Sequence, residues 1–148
     1  MSHLLIFHEN AYSLSAAFSL EFNILAAQSA RAQLLKNPLT TLDGIANNKS
    51  HRVHTLVINN LPVAYLKVGE KNLLVQDEFA RHVQIYPPCV LDFYVRTDVQ
   101  RKGYGKTLFQ HMLMLENLNP GCIAYDRPSI KLSAFLEKHY NLNKSIFD

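Results

Sequence analysis

The stretch that decides the fold is Pro87–Phe109, PPCVLDFYVRTDVQRKGYGKTLF. Its first part, Cys89–Val95, is apolar, β-branched and aromatic, which predicts a buried strand. From Tyr104 onward the pattern changes, and apolar residues recur at the spacing of one helix face, at Leu108, Met112 and Leu115. The stretch therefore predicts a strand followed by an amphipathic helix, with a turn between them at Gln100–Gly105.

Two glycines mark this turn, in the sequence QRKGYG. Glycine adopts backbone conformations that other residues avoid, and it lets a ligand approach the backbone closely. The first N–H groups of the helix can bind an anion, and Arg101, Lys102 and Lys106 add positive charge. The turn therefore predicts a pyrophosphate-binding loop, although a lone G-x-G is equally compatible with a plain tight turn. The residues match neither a Walker loop nor the Rossmann fingerprint.

Length and composition indicate a single soluble domain over residues 1–148. Hydrophobic residues make up 48% and charged residues 18%, and no apolar run reaches the roughly 18 residues of a membrane span. The formal charge of +3 is too small to indicate a nucleic-acid partner, but it allows an acidic one. The first residues lack a basic segment and include Glu9, which argues against a secretory signal. Two cysteines, Cys89 and Cys122, make no disulfide framework, and we expect reduced thiols.

The segments before the central strand alternate between helix and strand patterns. A short strand is predicted near Leu4–Phe7, and a helix over Leu14–Leu35, where glycine and proline are missing. Residues 38–50 have the composition of a loop. Three strands follow, and we expect them to form an antiparallel meander: His51–Asn59, Leu61–Gly69 and Asn72–Gln76.

The segments around the central strand and helix complete the pattern. Asp77–Pro88 is polar and predicts a loop. Beyond the central helix, Cys122–Asp126 predicts a short strand, and Ser129 is suited to cap a last helix. This order predicts an α+β domain with a central, mostly antiparallel sheet flanked by helices, and with a βαβ unit at its end.

The pattern Q-R-x-G-x-G, after an apolar strand and before an amphipathic helix, resembles the acetyl-CoA loop of the GCN5-related N-acetyltransferase (GNAT) superfamily. In that superfamily, loop amides hold the pyrophosphate of coenzyme A. A βαβ unit at the end of an antiparallel meander also resembles the GNAT fold. The resemblance implies acetyl-CoA as the acetyl-donor substrate.

Residues 63–142 resemble the catalytic domain of the α-tubulin N-acetyltransferase family. The stretches LDFYV (91–95), DRPS (126–129) and KHYNL (138–142) carry this resemblance, and together they are far more specific than the glycine turn. A weaker match lies upstream, where the residues Ala30-Arg31-Ala32-Gln33 precede a Pro-Leu-Thr loop. Lys102 and Tyr104 stand where the family often has histidine, which a loop that binds through its backbone tolerates.

The resemblance implies a function, acetyl-CoA-dependent acetylation of a lysine side chain of α-tubulin in microtubules. It implies α-tubulin and acetyl-CoA as partners and a cytoplasmic, cytoskeletal location. The small charge and the lack of a long apolar run argue against a nucleic-acid or membrane partner. Two alternatives stay open. One is an acetyltransferase for another amine acceptor, and the other is a catalytically idle module that binds coenzyme A or microtubules.

Three residues match catalytic positions of the family. A lysine ammonium, with a pKa of about 10.4, must lose a proton before it attacks a thioester, so a base is needed near the amine. By resemblance, Asp126 is a catalytic carboxylate that receives or relays this proton, whereas the pattern alone favours a helix-capping aspartate. Cys89 matches the family's active-site cysteine, as an acid–base partner or a wall of the pocket, and is otherwise a small buried hydrophobe. Gln33 matches a glutamine beside the active site, and is otherwise a solvated residue at a helix end.

The remaining predicted site residues bind ligands. Asp92 is acidic within an apolar strand, where an unpaired charge is costly, so we expect it to point into the substrate groove. The resemblance assigns donor binding to the strand end, the glycine turn and the last helix, through Phe93, Tyr94, Val95, Gln100, Arg101, Lys102, Gly103, Tyr104, Gly105, Lys106, Ser129, Lys131, Leu132 and Lys138. The seven histidines show neither H-E-x-x-H nor cysteine pairing with metal spacing, so no metal site is predicted.

The family pattern continues beyond KHYNL with an aromatic-rich strand that joins the sheet. Residues 143–148 are too few to supply it, so we expect this C-terminal strand to be missing from the fold. An unpaired sheet edge and lost apolar cover would make the domain marginally stable and prone to self-association.

Overall fold

The structure is a computed structural model that describes residues 3–8, 16–125 and 128–142. The predicted catalytic residue Asp126 and the segment 143–148 lie outside these ranges. The strands and helices within them are β1 (His3–His8), α1 (Ala16–Ala32), α2 (Leu42–Ala46), β2 (Arg52–Ile58), β3 (Leu61–Glu70), β4 (Leu73–Gln76), β5 (His82–Ile85), β6 (Pro88–Val95), α3 (Tyr104–Glu116), β7 (Ala124–Tyr125) and α4 (Ile130–Tyr140). No helix in these ranges is long and apolar enough to cross a membrane.

The central sheet has five strands in the order β1-β2-β3-β6-β7. Neighbouring strands run antiparallel except β6 and β7, which are parallel. A parallel pair needs a long crossover connection, and α3 supplies it. The prediction of an α+β domain, with a mostly antiparallel sheet flanked by helices and a terminal βαβ unit, is confirmed.

The predicted meander is wrong in its third strand. Because β3 pairs with β2 along one edge and with β6 along the other, it has no edge left for the strand that follows it. β4 therefore pairs with β5 in a separate two-stranded sheet, where Leu73 lies opposite Ile85. Two predicted loops also contain structure, since β5 lies within Asp77–Pro88 and α2 lies within 38–50.

The sheet carries a hydrophobic cluster on each face, because side chains alternate between the faces of a strand. Tyr65 of β3 packs with Phe22 and Leu25 of α1, and Ile45 of α2 joins the same cluster. Leu66, the next residue of β3, belongs to the cluster on the opposite face, with Phe109 and Met112 of α3 and Leu136 of α4. Helices α1 and α3 thus cover opposite faces of the sheet centre.

The end of α1 holds a leucine in the left-handed region. Leu34 has a φ of 58° and is 94% exposed. The amide of Leu35 donates to the carbonyl oxygen of Ala30 at 2.8 Å. This bond belongs to the Schellman motif, which usually places glycine at the left-handed position. The motif ends α1 and holds Gln33 directly after its last turn.

Candidate active site

The central sheet opens between β6 and β7. In the described residues the two strands pair at two positions, Cys89 with Ala124 and Val90 with Tyr125. Along the other edge of β6, the register with β3 skips Leu91, which forms a bulge that bends the strand. Beyond the bulge, no strand pairs with residues 92–95 on the β7 side in the part of the chain that the structure describes. Backbone groups on that side, apart from the Val95 carbonyl oxygen that accepts from Gln100, can therefore pair with an extended ligand.

The glycine turn follows this opening. Gly103 has a φ of 82°, in the left-handed region, and is the N-cap of α3. The prediction that a glycine supplies an unusual backbone conformation here is confirmed. Because Gly103 has no side chain to cap the helix, the first N–H groups of α3 can bind an anion. Arg101, Lys102 and Lys106 are exposed beside them and supply positive charge.

Gln100 joins the turn to its neighbours. Its Nε2 donates to the carbonyl oxygen of Val95 at 2.7 Å, and its Oε1 accepts from Nζ of Lys131 at 3.5 Å. The end of β6, the turn and the start of α4 therefore meet. Lys106 and Lys138 lie near His139. Burial lowers the pKa of His139, and the positive charges of these two lysines lower it further. The structure thus brings the charged members of the predicted donor site together.

Three other predicted donor-binding residues pack or cap on the α3 face. The ring of Phe93 lies 5.9 Å from that of Phe109 and 5.3 Å from that of Phe135, between centroids. Ser129 caps α4, because its Oγ accepts from the amide of Leu132 at 3.1 Å, and this capping prediction is confirmed. Leu132 itself is 7% exposed and lies in the core.

Tyr94, Tyr104 and Gly105 occupy different faces around the same strand end. Tyr94 lies on the α1 face, with its ring centroid 6.4 Å from that of Tyr65. Tyr104 is half-buried and packs against the core on the α3 face. A Cβ at Gly105 would lie 3.4 Å from Cγ2 of Val95, so glycine lets α3 pack closely on β6.

On the α1 face, hydrogen bonds join Gln33 to Asp92. Nε2 of Gln33 donates to Oδ1 of Asp92 at 3.4 Å and to Oγ of Ser29 at 3.0 Å. Oδ2 of Asp92 accepts from the hydroxyl of Thr40 at 2.6 Å and from the hydroxyl of Tyr65 at 2.7 Å. The end of α1, the segment before α2 and the strand β3 therefore all contact one carboxylate of β6.

The structure corrects the expectation that Asp92 points into an open groove. The residue is 4% exposed, and the donors that a buried carboxylate requires come from the protein itself. Gln33 is only half-buried. The side chain of this pair that a substrate can reach is therefore the glutamine.

Burial shifts the pKa of two residues beside Asp92, Tyr65 and Lys67. Burial, and next the charge of Asp92, raise the pKa of Tyr65, so its phenol stays protonated and donates. Lys67, opposite Asp92 on β3, donates through Nζ to the carbonyl oxygen of Leu39 at 2.6 Å. Burial lowers the pKa of Lys67, and the charge of Asp92 opposes this shift. The bond from Lys67 holds the segment that carries Thr40 against the sheet.

Cys89 lies at the β6–β7 side of the site. It is a reduced thiol, 0% exposed, and its Sγ donates to the carbonyl oxygen of Pro87 at 3.5 Å. Asp126 is not among the described residues, but in the sequence it directly follows Tyr125, which pairs with Val90. The catalytic roles assigned to Cys89 and Asp126 stay predictions.

A groove of about 560 Å³ lies on the α1 face, between the last turns of α1 and the end of β6. It is lined by Gln28, Arg31, Ala32, Tyr94, Arg96, Thr97 and Asp98. Its volume lies in the range of ligand-binding clefts. Gln33 directly follows α1, and Asp92 lies in β6 two positions before the lining residue Tyr94.

Sequence reasoning missed Thr40, Tyr65 and Lys67. Tyr65 and Lys67 stand two positions apart in the apolar strand LPVAYLKVG, so they share one face of it. That spacing was the available signal for a polar site on the α1 face. Which acidic residue they would face could not be read locally, because strand register is set by contacts distant in sequence.

A second polar cluster joins β2, β3 and α3. The guanidinium of Arg52 pairs with Glu70 at 3.0 Å and with Glu116 at 2.9 Å, and Nε2 of His54 lies 3.0 Å from Oε2 of Glu116. Across the described ranges, no three His, Cys, Asp or Glu side chains are grouped as a metal site. We therefore interpret this cluster as a set of polar contacts that holds β2, β3 and α3 together.

Comparison with known sequences identifies the family. A family profile described as "GNAT acetyltransferase, Mec-17" matches residues 5–148. The chain is 48% identical over 121 residues to "Alpha-tubulin N-acetyltransferase 1" of Trypanosoma cruzi, covering 81% of this chain and 37% of that protein. It is 44% identical over 140 residues to "Alpha-tubulin N-acetyltransferase" of Aedes aegypti, covering 92% and 51%. The chain thus spans between about a third and a half of the length of these curated relatives.

Solved structures agree on the fold. A predicted acetyltransferase of Clostridium acetobutylicum, solved with acetyl-CoA, has a TM-score of 0.65 at 8% identity, covering 97% of this chain and 92% of that one. An aminoglycoside 6′-N-acetyltransferase of Acinetobacter baumannii has a TM-score of 0.64 at 9% identity, with the same coverage of 97% and 92%. At such identities the likeness establishes the fold alone. Fold, family profile and curated relatives together show that this chain belongs to the Mec-17 family of GNAT acetyltransferases.

Proposed function

We propose that this chain transfers an acetyl group from acetyl-CoA to a lysine side chain of α-tubulin in microtubules. The observation that carries the proposal is its identity of 44% to 48% with proteins named alpha-tubulin N-acetyltransferase. Those relatives are longer than this chain, so the proposal attributes their named activity to the region that it matches.

The donor side of the site supports this proposal. The edge of β6 beyond the bulge offers backbone groups to the pantetheine arm of acetyl-CoA. The first amides of α3, with Arg101, Lys102 and Lys106, suit the pyrophosphate, because helix N-termini and cations both favour phosphate oxygens. Lys131 and Lys138 add charge at α4. The chain's residues therefore fit the donor, which would supply the activated acetyl group.

The acceptor side lies on the other face of the sheet. The groove between α1 and β6 would hold the segment of α-tubulin around the target lysine. We assign Gln33, at the end of α1, to contact the acceptor amine. Donor and acceptor would then approach β6 from opposite faces and meet at its bulge.

The chemistry requires that two protons leave the acceptor ammonium, one before attack and one as the amide forms. The lysine nitrogen bonds to the acetyl carbonyl carbon while the carbon–sulfur bond of the thioester breaks. We assign Asp126 to receive the amine proton before attack and to release it to solvent, and the departing sulfur carries the second amine proton away as the thiol. Holding both reactants in one orientation removes much of the entropic barrier. Cys89, a buried thiol near the opening, shapes the pocket or serves as an acid–base partner.

Mass spectrometry of assembled microtubules incubated with this chain and acetyl-CoA tests the proposal. A single new acetyl-lysine on α-tubulin, formed more slowly by the Gly103→Val variant at limiting acetyl-CoA, is the expected result. Acetylation of small amines without modified tubulin would indicate a different acceptor. Coenzyme A binding without turnover on any amine would indicate an idle binding module.

A further inference from the structure

The orientation of the Gln33 amide follows from its partners. A carboxylate accepts hydrogen bonds and cannot donate, so the amide group that faces Asp92 must be the N–H₂ end. Both hydrogen bonds described for the Gln33 side chain use Nε2, to Asp92 at 3.4 Å and to Ser29 at 3.0 Å. Oε1 has no partner among the residues that the structure describes. The glutamine therefore keeps one acceptor oxygen for a ligand.

The carboxylate that imposes this orientation is itself held in place. Oδ2 of Asp92 accepts from Thr40 and Tyr65, which are both 0% exposed. Thr40 approaches from the segment before α2 and Tyr65 from β3, so the carboxylate is restrained from two sides. Oδ1 is then the oxygen that faces Gln33. Because these groups exclude water, each hydrogen bond constrains geometry strongly.

We propose that Asp92, Thr40 and Tyr65 form an orienting clamp that presents Oε1 of Gln33 as the hydrogen-bond acceptor for the incoming lysine amine. This inference rests on the proposed function, because it needs an amine substrate. An N–H held by Oε1 would direct the nitrogen lone pair toward the acetyl carbonyl. In this assignment Gln33 contacts the substrate, and Asp92 is a positioning residue that acts through Gln33.

The Asp92→Asn variant tests the clamp, because it keeps the shape of the residue and replaces one oxygen by a donor. The asparagine oxygen would accept from Thr40 and Tyr65, so its N–H₂ group would face Gln33. Two donors then oppose each other, and the Gln33 amide must turn over and present N–H₂ to the substrate. We expect kcat on tubulin to fall about tenfold or more, on the scale of one charged hydrogen bond, with KM for acetyl-CoA unchanged.

A compensating pair separates orientation from general stability. Gln33→Glu alone places two carboxylates face to face, and we expect it to lose activity. In the double variant, Gln33→Glu with Asp92→Asn, the introduced asparagine would donate to the introduced glutamate, and a glutamate oxygen would again face the amine. We expect the double variant to regain at least part of the lost kcat. A double variant no more active than either single variant would overturn the clamp.

Thr40→Val provides a second variant that leaves the charges unchanged. It removes one donor to Asp92, and Thr55→Val is the matched control, since Thr55 is also a buried threonine, 1% exposed. We expect Thr40→Val to lower kcat and Thr55→Val to leave it near wild type when both melt cooperatively. Equal effects of the two substitutions would reduce Thr40 to a packing role and overturn the clamp.

A readout that needs no catalysis distinguishes the two proposals. The Gln33 side-chain N–H₂ signals can be followed by nuclear magnetic resonance in the full chain. We expect Asp92→Asn to shift them and to speed their exchange with water, and unchanged signals would overturn the clamp. If the wild-type protein leaves tubulin unmodified while Asp92→Asn still shifts these signals, the proposed function is rejected and the orientation of Gln33 is kept.

Discussion

The side-chain amide of Gln33 and the carboxylate of Asp92 lie 3.4 Å apart although 59 positions separate them in the chain. Gln33 is held at the end of α1 and Asp92 within β6, so their contact depends on how α1 packs on the sheet. The ring of Phe22 on α1 lies 5.2 Å from that of Tyr65, between centroids. Tyr65 also donates to Asp92. Tyr65 therefore both packs against α1 and restrains the carboxylate of Asp92.

Leu34→Gly should stabilise the protein. The left-handed conformation costs a residue with a Cβ about 1–2 kcal/mol, partly offset by the greater flexibility of glycine in the unfolded chain. Because the Leu34 side chain is 94% exposed, its removal costs almost no packing. We expect the free energy of unfolding, measured with urea, to rise by about 0.5–1 kcal/mol. Ala32→Gly is the control, which lies within α1 and should destabilise; a loss of stability in both variants would contradict the strain argument.

Gly103→Val should impair binding of coenzyme A. Among the residues that the structure describes, none beyond its chain neighbours comes within 4 Å of a Cβ at Gly103, so the expected damage comes from its φ of 82°. A β-branched residue avoids this region, and the turn would shift away from the conformation that exposes its amides. We expect affinity measured by calorimetry to fall about tenfold or more, as for a strain of ~1–3 kcal/mol.

Gly121→Ala is the matched control for this substitution, because Gly121 is not at positive φ and a Cβ there makes an ordinary contact of 3.4 Å with Oδ1 of Asn119. It should bind coenzyme A as wild type does. Undiminished affinity of Gly103→Val would remove the turn from the donor site.

Asp126→Asn should lower turnover and leave coenzyme A affinity nearly intact. An asparagine keeps the size of the residue but cannot accept the amine proton, so we expect kcat to fall by ~10²-fold or more. Asp43→Asn, at an exposed position of α2, is the control and should retain wild-type kcat. Wild-type turnover of Asp126→Asn would assign this residue to capping of the last helix.

The two thiols should react at different rates. Cys122 is exposed and Cys89 is 0% exposed, and a thiol must be reached by a reagent before it can be modified. Titration of the native protein with an aromatic disulfide should therefore show one fast thiol, and denaturation should reveal the second. Cys122→Ser should abolish the fast phase. A fast phase that persists in this variant would mean that Cys89 is open to solvent.

Stability should decline on acidification through His54 and Glu116. Burial lowers the pKa of His54 below its ordinary 6.5; Glu116 opposes this shift, while the charges of Arg52 and His111 add to it. Burial would raise the pKa of Glu116, but bonds from Arg52 and His54 outweigh it, and the pKa lies below its ordinary value. Both groups thus bind protons more readily in the unfolded chain. Stability is fully present above about pH 6.5 and decreases below it, first through His54 and then through Glu116.

Melting temperatures at pH 7.5 and pH 5.5 measure this dependence. In His54→Gln, the amide can still donate to Glu116 but does not titrate, so the decrease between the two pH values should be smaller than in wild type. His82→Gln, on the exposed hairpin, is the control and should follow wild type. An unchanged decrease in His54→Gln would assign the acid sensitivity to other groups.

Local patterns predicted the parts of the site that depend on neighbouring residues. The change from strand to helix periodicity around Gln100–Gly105 predicted β6, the turn and α3, and the glycine at positive φ followed from the turn itself. Ser129 was identified as a helix cap because capping involves residues three positions apart. The resemblance to the family identified Gln33, Cys89 and Asp126 as candidates without placing them relative to one another.

The tertiary structure decided what depends on distant parts of the chain. β4 was predicted to extend the meander, but β6 takes the edge of β3 that β4 would have needed, and only the assembled sheet shows this competition. Asp92 was expected to face the substrate groove, but its hydrogen-bond donors come from residues 27 to 59 positions away, which local patterns do not reveal. The sequence by itself determined the periodicities, the turn chemistry and the family. Strand order, burial and the orientation of the Gln33 amide were decided by packing, because hydrogen-bond partners of buried groups are set by which elements come into contact.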